Sequence, residues 1–153
     1  VISVDAAGGL VALLANATPR VTAVVASLQN RDQFYTPYKI PTVAARSASV
    51  CSAPTATEFA RNFTREYWRG PCWVNMNWLV ARGLEQQAPG PAVQAEVHAL
   101  RSSVCSFVRD NGGFNEYYNP CTAEAHGSSN FSWTAALFID LFTEGHAAPL
   151  LSA

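Results

Sequence analysis

The sequence predicts an all-α domain, and three observations carry that prediction. Apolar residues recur at three- and four-residue steps over residues 71–87 and again over residues 91–109. Breaks such as Pro89-Gly90-Pro91 fall where one helix would stop and the next begin. No strand pattern stands out anywhere in the chain. With 153 residues, 49% of them hydrophobic and 14% charged, the chain can bury a sizeable core and lacks the composition of a disordered segment.

Residues 6–15 have helical content despite Gly8-Gly9. Asn16-Ala17-Thr18-Pro19 breaks the chain, with Thr18 placed to cap a helix and Pro19 to open it. That helix runs to about Gln29 with Val21, Val24, Val25 and Leu28 on one stripe, although its valines also suit a strand. Residues 30–54 are irregular; the prolines and tyrosines of 35–44 predict an extended, ordered loop. Thr55 or Thr57 is placed to cap a short helix ending near Glu66. Pro71 is expected at the first position of a helix whose stripe is Trp73, Met76, Asn77, Val80 and Leu84. Pro91 opens a second long helix, with Val93, Val97, Leu100, Val104 and Phe107 inward, and Asp110-Asn111-Gly112-Gly113 ends it. Residues 114–130 read as a polar loop. Ser132 can cap a last helix over 133–142, apolar on nearly all sides and therefore expected to be buried.

Composition narrows the function classes. A net charge of −1 without a basic run gives no reason to expect nucleic acid or an anionic membrane as partner. No apolar stretch is long enough to span a bilayer. Val1-Ile2-Ser3-Val4-Asp5 has no initiator Met and no basic start, so it reads as a cut or processed end. Cys51, Cys72, Cys105 and Cys121 contain no CxxC pair, and His98, His126 and His146 are scattered, so no metal site is expected. Cys72 and Cys105 read as small buried helix residues; a Cys51–Cys121 disulfide is open but cannot be argued from spacing. Sequons begin at Asn16, Asn62 and Asn130 and matter only in a secreted chain.

The chemistry concentrates in two stretches. YWRGPCWVNMNW at residues 67–78 puts aromatic faces beside amide and guanidinium donors. That mixture suits a sugar, which has apolar C–H faces and a rim of hydroxyls; it equally suits a tryptophan-rich helix contact. FNEYYNP at 114–120 sets Glu116 among three rings. Carboxyls that move protons are commonly found in such surroundings, while the plainer role is a loop glutamate holding a backbone N–H. Glu124 is a weaker second candidate. Asp5, Glu85 and Glu96 fall on ordinary helix faces or near the terminus, and Asp140 reads as a packing partner for an arginine. Since a glycosidase needs two carboxyl groups across the scissile bond, the sequence offers half of a pair.

PYKIPTVA at 37–44, YWRGPCWVNMNW at 67–78, FNEYYNP at 114–120 and FSWTAAL at 131–137 occur in this order. In that order they resemble the C-terminal end of glycoside hydrolase family 63, closest to its mannosylglycerate and glucosylglycerate hydrolases. The resemblance implies that residues 1–153 are the C-terminal part of a single (α/α)6 toroid catalytic domain, contributing about six helices. It implies hydrolysis of an α-glycosidic bond with inversion, without metal or other cofactor, on a small saccharide or glycosyl-glycerate. It places the general base on Glu116 and the sugar pocket on Tyr67, Trp68 and Trp73. Arg69 and Asn77 would contact hydroxyls or brace the pocket, and Tyr38 and Asn130 would approach the substrate. It also implies a cytoplasmic setting, although the sequons and cysteines leave a secretory one open.

Three departures qualify the resemblance. The family's general acid is an Asp upstream of these blocks, with no counterpart here. Twelve helices need roughly 350–450 residues. The glycine-rich turn expected after Pro120 reads Thr122-Ala123-Glu124-Ala125, which would strain the loop if positive φ is required there. Residues 47–66 also look longer than in close relatives. The competing reading is a non-catalytic carbohydrate-binding remnant or incomplete fragment; a helical scaffold for protein partners would require repeats, and none are visible. The oligomeric state is not fixed by the sequence, but half a ring would expose inner helix faces and self-associate.

Overall fold

Glycine and proline set the ends of the longest helix. The computed structural model describes residues 5–15, 21–47, 49–53, 57–87 and 90–143. Its order is a 3-10 helix (Ala7–Ala15), α1 (Val21–Gln29), α2 (Glu58–Arg65), α3 (Val74–Glu85), α4 (Pro91–Asn111), β1 (Asn115–Tyr118), β2 (Ala125–Ser129) and α5 (Ser132–Thr143). Pro91 occupies the first turn of α4, and Gly112 closes it in the left-handed region at φ 65°, as the sequence predicts. Thr57 caps α2, its hydroxyl accepting from the Ala60 N–H at 3.0 Å. The cap expected at Thr18-Pro19 lies outside the described residues.

The core is built around α3. Val80 and Leu84 of α3, Leu100, Val104 and Phe107 of α4, and Leu141 of α5 are all buried together. Gly83 brings α3 against the 3-10 helix so closely that a Cβ there would sit 2.5 Å from Leu13 Cβ. Between α3 and α5, Asp140 Oδ2 accepts from Arg82 Nη2 at 2.6 Å and from Trp78 Nε1 at 2.5 Å. Asp140 is thus the arginine partner the sequence suggested. The Arg82 hydrogen bond, then that of Trp78, holds the Asp140 carboxyl below its ordinary value. A depressed folded value means that the stabilisation is complete above the unfolded value of about 3.9 and is lost as pH falls through the folded one. The melting temperature of Asp140→Asn should therefore fall less steeply than that of the parent chain between about pH 5 and pH 2.

Five expectations need correction. Residues 114–130 contain an antiparallel hairpin, β1 with β2, where no strand was expected. Pro71 does not open α3: Cys72 exchanges both backbone hydrogen bonds with Tyr118, at 2.8 and 2.9 Å, which holds it extended and delays the helix to Val74. Cys72 is buried but outside any helix; Cys105 lies in α4. Helix α5 is not wrapped on all sides, since Trp133 and Ile139 are 47% and 54% exposed. Glu96 is no ordinary surface glutamate but is buried in an ion pair with Lys39. The open question about cysteines resolves into a Cys51–Cys121 disulfide. Among the described residues, no helix is long and apolar enough to cross a membrane.

Candidate active site

Two backbone devices shape the aromatic loop before α3. Tyr67 adopts the left-handed region at φ 43°, and its carbonyl accepts the Trp73 indole N–H at 2.9 Å. The Arg69 N–H returns to the Glu66 carbonyl at 2.7 Å. Gly70 lies on the backbone of Phe63 in α2, and its N–H donates to the Thr42 hydroxyl at 3.0 Å. The 37–44 stretch therefore supports the loop from beneath.

The rings converge on Trp73. Trp68 stacks on it with centroids 4.0 Å apart and planes within 8°, and Tyr117 of β1 lies nearly parallel to it at 5.2 Å. Tyr67 meets Trp68, Trp73 and Tyr117 edge-on, the geometry that aromatic quadrupoles favour. Trp73 is only 2% exposed, whereas Tyr67 and Trp68 are 51% and 38% exposed. Surface for a ligand is thus offered by Tyr67 and Trp68, with Trp73 as their backing. Asn77 is fully buried, and its Nδ2 donates to the Trp73 carbonyl at 3.0 Å. Of its two expected roles, that is the bracing one. Arg69 is exposed on the same loop.

Glu116 reaches this cluster through a β-bulge. Asn115 pairs with Ser129 and Tyr117 with His126, so Glu116 alone faces Gly127 and Ser128. Gly127 takes φ 72°, the left-handed position at which such a bulge favours glycine. The bulge turns the Ser128 N–H onto Glu116 Oε2 at 3.1 Å. A Cβ on Gly127 would lie 2.6 Å from Glu116 Oε2 and 2.8 Å from Tyr117 Cε1. The missing side chain is therefore what lets the carboxylate and the Tyr117 ring come together over one point. Burial, followed by the nearby charges of Glu116 and Glu66 and by Tyr67, raises the Tyr117 hydroxyl above its ordinary value. Of the two roles expected of Glu116, the plainer one, holding a backbone N–H, is the one the Ser128 hydrogen bond supplies.

The flanking residues are unequal. Burial holds His126 below its ordinary value, with Glu124 opposing and Arg65 adding to the effect; its ring lies 5.8 Å from that of Tyr117. Asn130 is exposed at the exit of β2 with φ 53°. Ala123 does adopt positive φ, 63°, at the position where the sequence raised that concern. Tyr38 is not brought to the cluster. It approaches Phe107 of α4, with centroids 6.0 Å apart, and lines a hollow of about 290 Å³ against that helix. Sequence reasoning missed Tyr117, Gly127 and Ser128 as working parts. The one available signal was a lone glycine in His126-Gly127-Ser128, the mark of a bulge once a strand is recognised.

Comparison with known proteins identifies the family. Residues 1–134 match the family described as mannosylglycerate hydrolase MGH1-like glycoside hydrolase domain. The mannosylglycerate hydrolase of Rubrobacter radiotolerans is 43% identical over 79 residues, 52% of this chain and 17% of that protein. The glucosylglycerate hydrolase of Mycolicibacterium hassiacum is 40% identical over 88 residues, 57% of this chain and 19% of that protein. The crystal structure of a GH63 mannosylglycerate hydrolase from Thermus thermophilus in complex with glucose superposes with a TM-score of 0.70 at 29% identity, covering 91% of this chain and 32% of that one. The chain thus spans about a third of that solved structure and under a fifth of those two hydrolases. Its helical build agrees with the expected portion of a toroid.

Proposed function

Because the chain belongs to the mannosylglycerate hydrolase MGH1-like glycoside hydrolase domain family, we propose that it is the C-terminal part of the catalytic domain of an inverting α-glycosidase. The substrate class is a glycosyl-glycerate or a related α-glucoside. The observation that carries this reading is the approach of the Glu116 carboxylate to Tyr117, whose ring touches both Tyr67 and Trp73. A proton acceptor thus stands beside a platform suited to the apolar face of a sugar.

In this reading Tyr67 and Trp68 stack on the glycone, Trp73 and Asn77 keep that platform rigid, and Arg69 and Asn130 reach hydroxyls or the glycerate carboxylate from the rim. Glu116, oriented by the Ser128 N–H, takes a proton from water as that water attacks the anomeric carbon. The leaving oxygen receives its proton from a general acid on the opposite face, at a carboxyl separation of about 6.5–9.5 Å. The acid belongs to the part of the fold that this chain does not match. The Cys51–Cys121 bond favours an oxidising compartment over the cytoplasmic setting implied by the resemblance.

The test is turnover of mannosylglycerate and glucosylglycerate by the full-length product of the parent reading frame and by its Glu116→Gln variant. The variant should lose roughly 10²- to 10⁴-fold in kcat with little change in KM. Undiminished turnover would remove Glu116 from the role of base. Saccharide binding with no turnover in the parent would favour the non-catalytic reading.

A further inference from the structure

We infer that the Cys51–Cys121 disulfide is a positioning clamp for the aromatic site, holding the support of the Tyr67–Trp68 platform and the hairpin of Glu116 in one arrangement that reduction releases. This rests on reading those residues as one saccharide site. The bond joins two segments 70 residues apart in the chain. On one side, Cys51 lies among Ala45, Val50, Ala60 and Phe63, a small apolar cluster separate from the main core. The backbone of Phe63 is the surface on which Gly70 rests. On the other side, Cys121 follows Pro120 in the turn after β1, and its N–H donates to Asn119 Oδ1 at 2.8 Å. The turn leads directly back to Tyr118 and Glu116.

Besides the cross-link, among the described residues the Ala45 and Arg46 N–H groups donate to the Gln33 and Asp32 carbonyls and Arg46 lies over the Phe59 ring, while α2 itself rests on a small cluster. Helix α2 has eight residues, too short to be stable without packing, and its cluster contains one large fully buried side chain, Phe63. Cutting the cross-link therefore frees α2 to move against Gly70 and relaxes the turn behind Glu116 at the same time. Access exists, since Cys51 lines a hollow of about 310 Å³ together with Arg31, Tyr35 and Ser52. A small dithiol supplies two electrons and two protons: the S–S bond breaks, both cysteines become thiols, and the reagent closes to its cyclic disulfide.

The test compares the oxidised chain, the chain reduced with dithiothreitol, and the Cys51→Ser/Cys121→Ser double variant. Trypsin measures local opening, and D-glucose titrated against tryptophan fluorescence measures the site. Reduction should speed cleavage at Arg61 and Arg65 at least tenfold, leave Arg101 protected, and weaken glucose binding at least fivefold. The double variant should behave likewise without reductant; if it does not fold, the reduced parent chain still decides. Unchanged cleavage at Arg61 and Arg65 would overturn the clamp. So would equal exposure of Arg101, because the bond would then hold the whole fold and not the site. Glucose is titrated on the full-length product of the parent reading frame as well, since this chain covers about a third of the matched structure. Faster local cleavage with no glucose binding in any form of that product would keep the clamp and sink the saccharide reading.

Discussion

Replacing Gly70 by alanine should cost at least about 4 kcal/mol and disperse the aromatic cluster. A Cβ at this position would lie 2.2 Å from Phe63 Cα, 2.3 Å from its carbonyl oxygen and 2.6 Å from its carbonyl carbon. All three are backbone atoms of α2, so no rotamer change relieves the overlap. The residue also sits at φ 156°, a backbone setting that side chains rarely adopt. Relief requires the loop to lift from α2, which breaks the Gly70 N–H bond to Thr42 and moves Tyr67 and Trp68 away from Trp73. Gly112→Ala supplies the contrast. That residue is also left-handed, at φ 65°, but nothing lies within 4 Å of its missing Cβ, so only the backbone term of about 1–2 kcal/mol applies. Denaturant midpoints and tryptophan fluorescence of the two variants give the comparison. Equal midpoints would show that contact with Phe63 has no part in holding the loop.

The helices were legible because their signals are local. The stripe from Met76 to Leu84 and the one from Leu100 to Phe107 are buried as periodicity predicts, and Thr57, Pro91 and Gly112 act at the positions their chemistry favours. The grouping of Tyr67, Trp68 and Trp73 was legible because all three lie on one loop. What failed was non-local. Neither Asn115–Tyr118 nor Ala125–Ser129 carries a β-branched run, and each becomes a strand only by pairing with the other. Pro71 has the credentials of a helix start, but pairing of Cys72 with Tyr118, 46 positions later, outweighs them. The disulfide spans 70 positions and leaves no trace in the spacing of four cysteines. Helix α5 reads as buried from its composition, yet Trp133 and Ile139 face outward in a chain that covers about a third of the matched enzyme. Tyr38 sits in the expected block, but its ring turns to α4, a direction that no sequence motif records.

Glu96→Leu should destabilise the chain by about 3–5 kcal/mol, the usual cost of leaving a buried charge alone. Lys39 Nζ lies 2.6 Å from Glu96 Oε2, and the two side chains are 8% and 5% exposed. Gln29 of α1 donates to Glu96 Oε1 at 3.1 Å, and the Tyr35 ring stands 5.1 Å from the ammonium. Removing the carboxylate leaves that ammonium with one aromatic face and little water. Lys39→Met should cost a comparable amount for the converse reason. The double variant Lys39→Met/Glu96→Leu should recover most of the loss, since a well-packed apolar pair often matches a buried ion pair in stability. A double-mutant cycle from denaturant unfolding reads this as strong coupling; additive losses would mean that each side chain acts through other partners. The pair also bears on the site. Lys39 begins the run to Thr42, whose hydroxyl accepts the Gly70 N–H. Either single variant should therefore loosen the Tyr67–Trp68 platform at a distance, and weaker saccharide quenching of tryptophan fluorescence would report it.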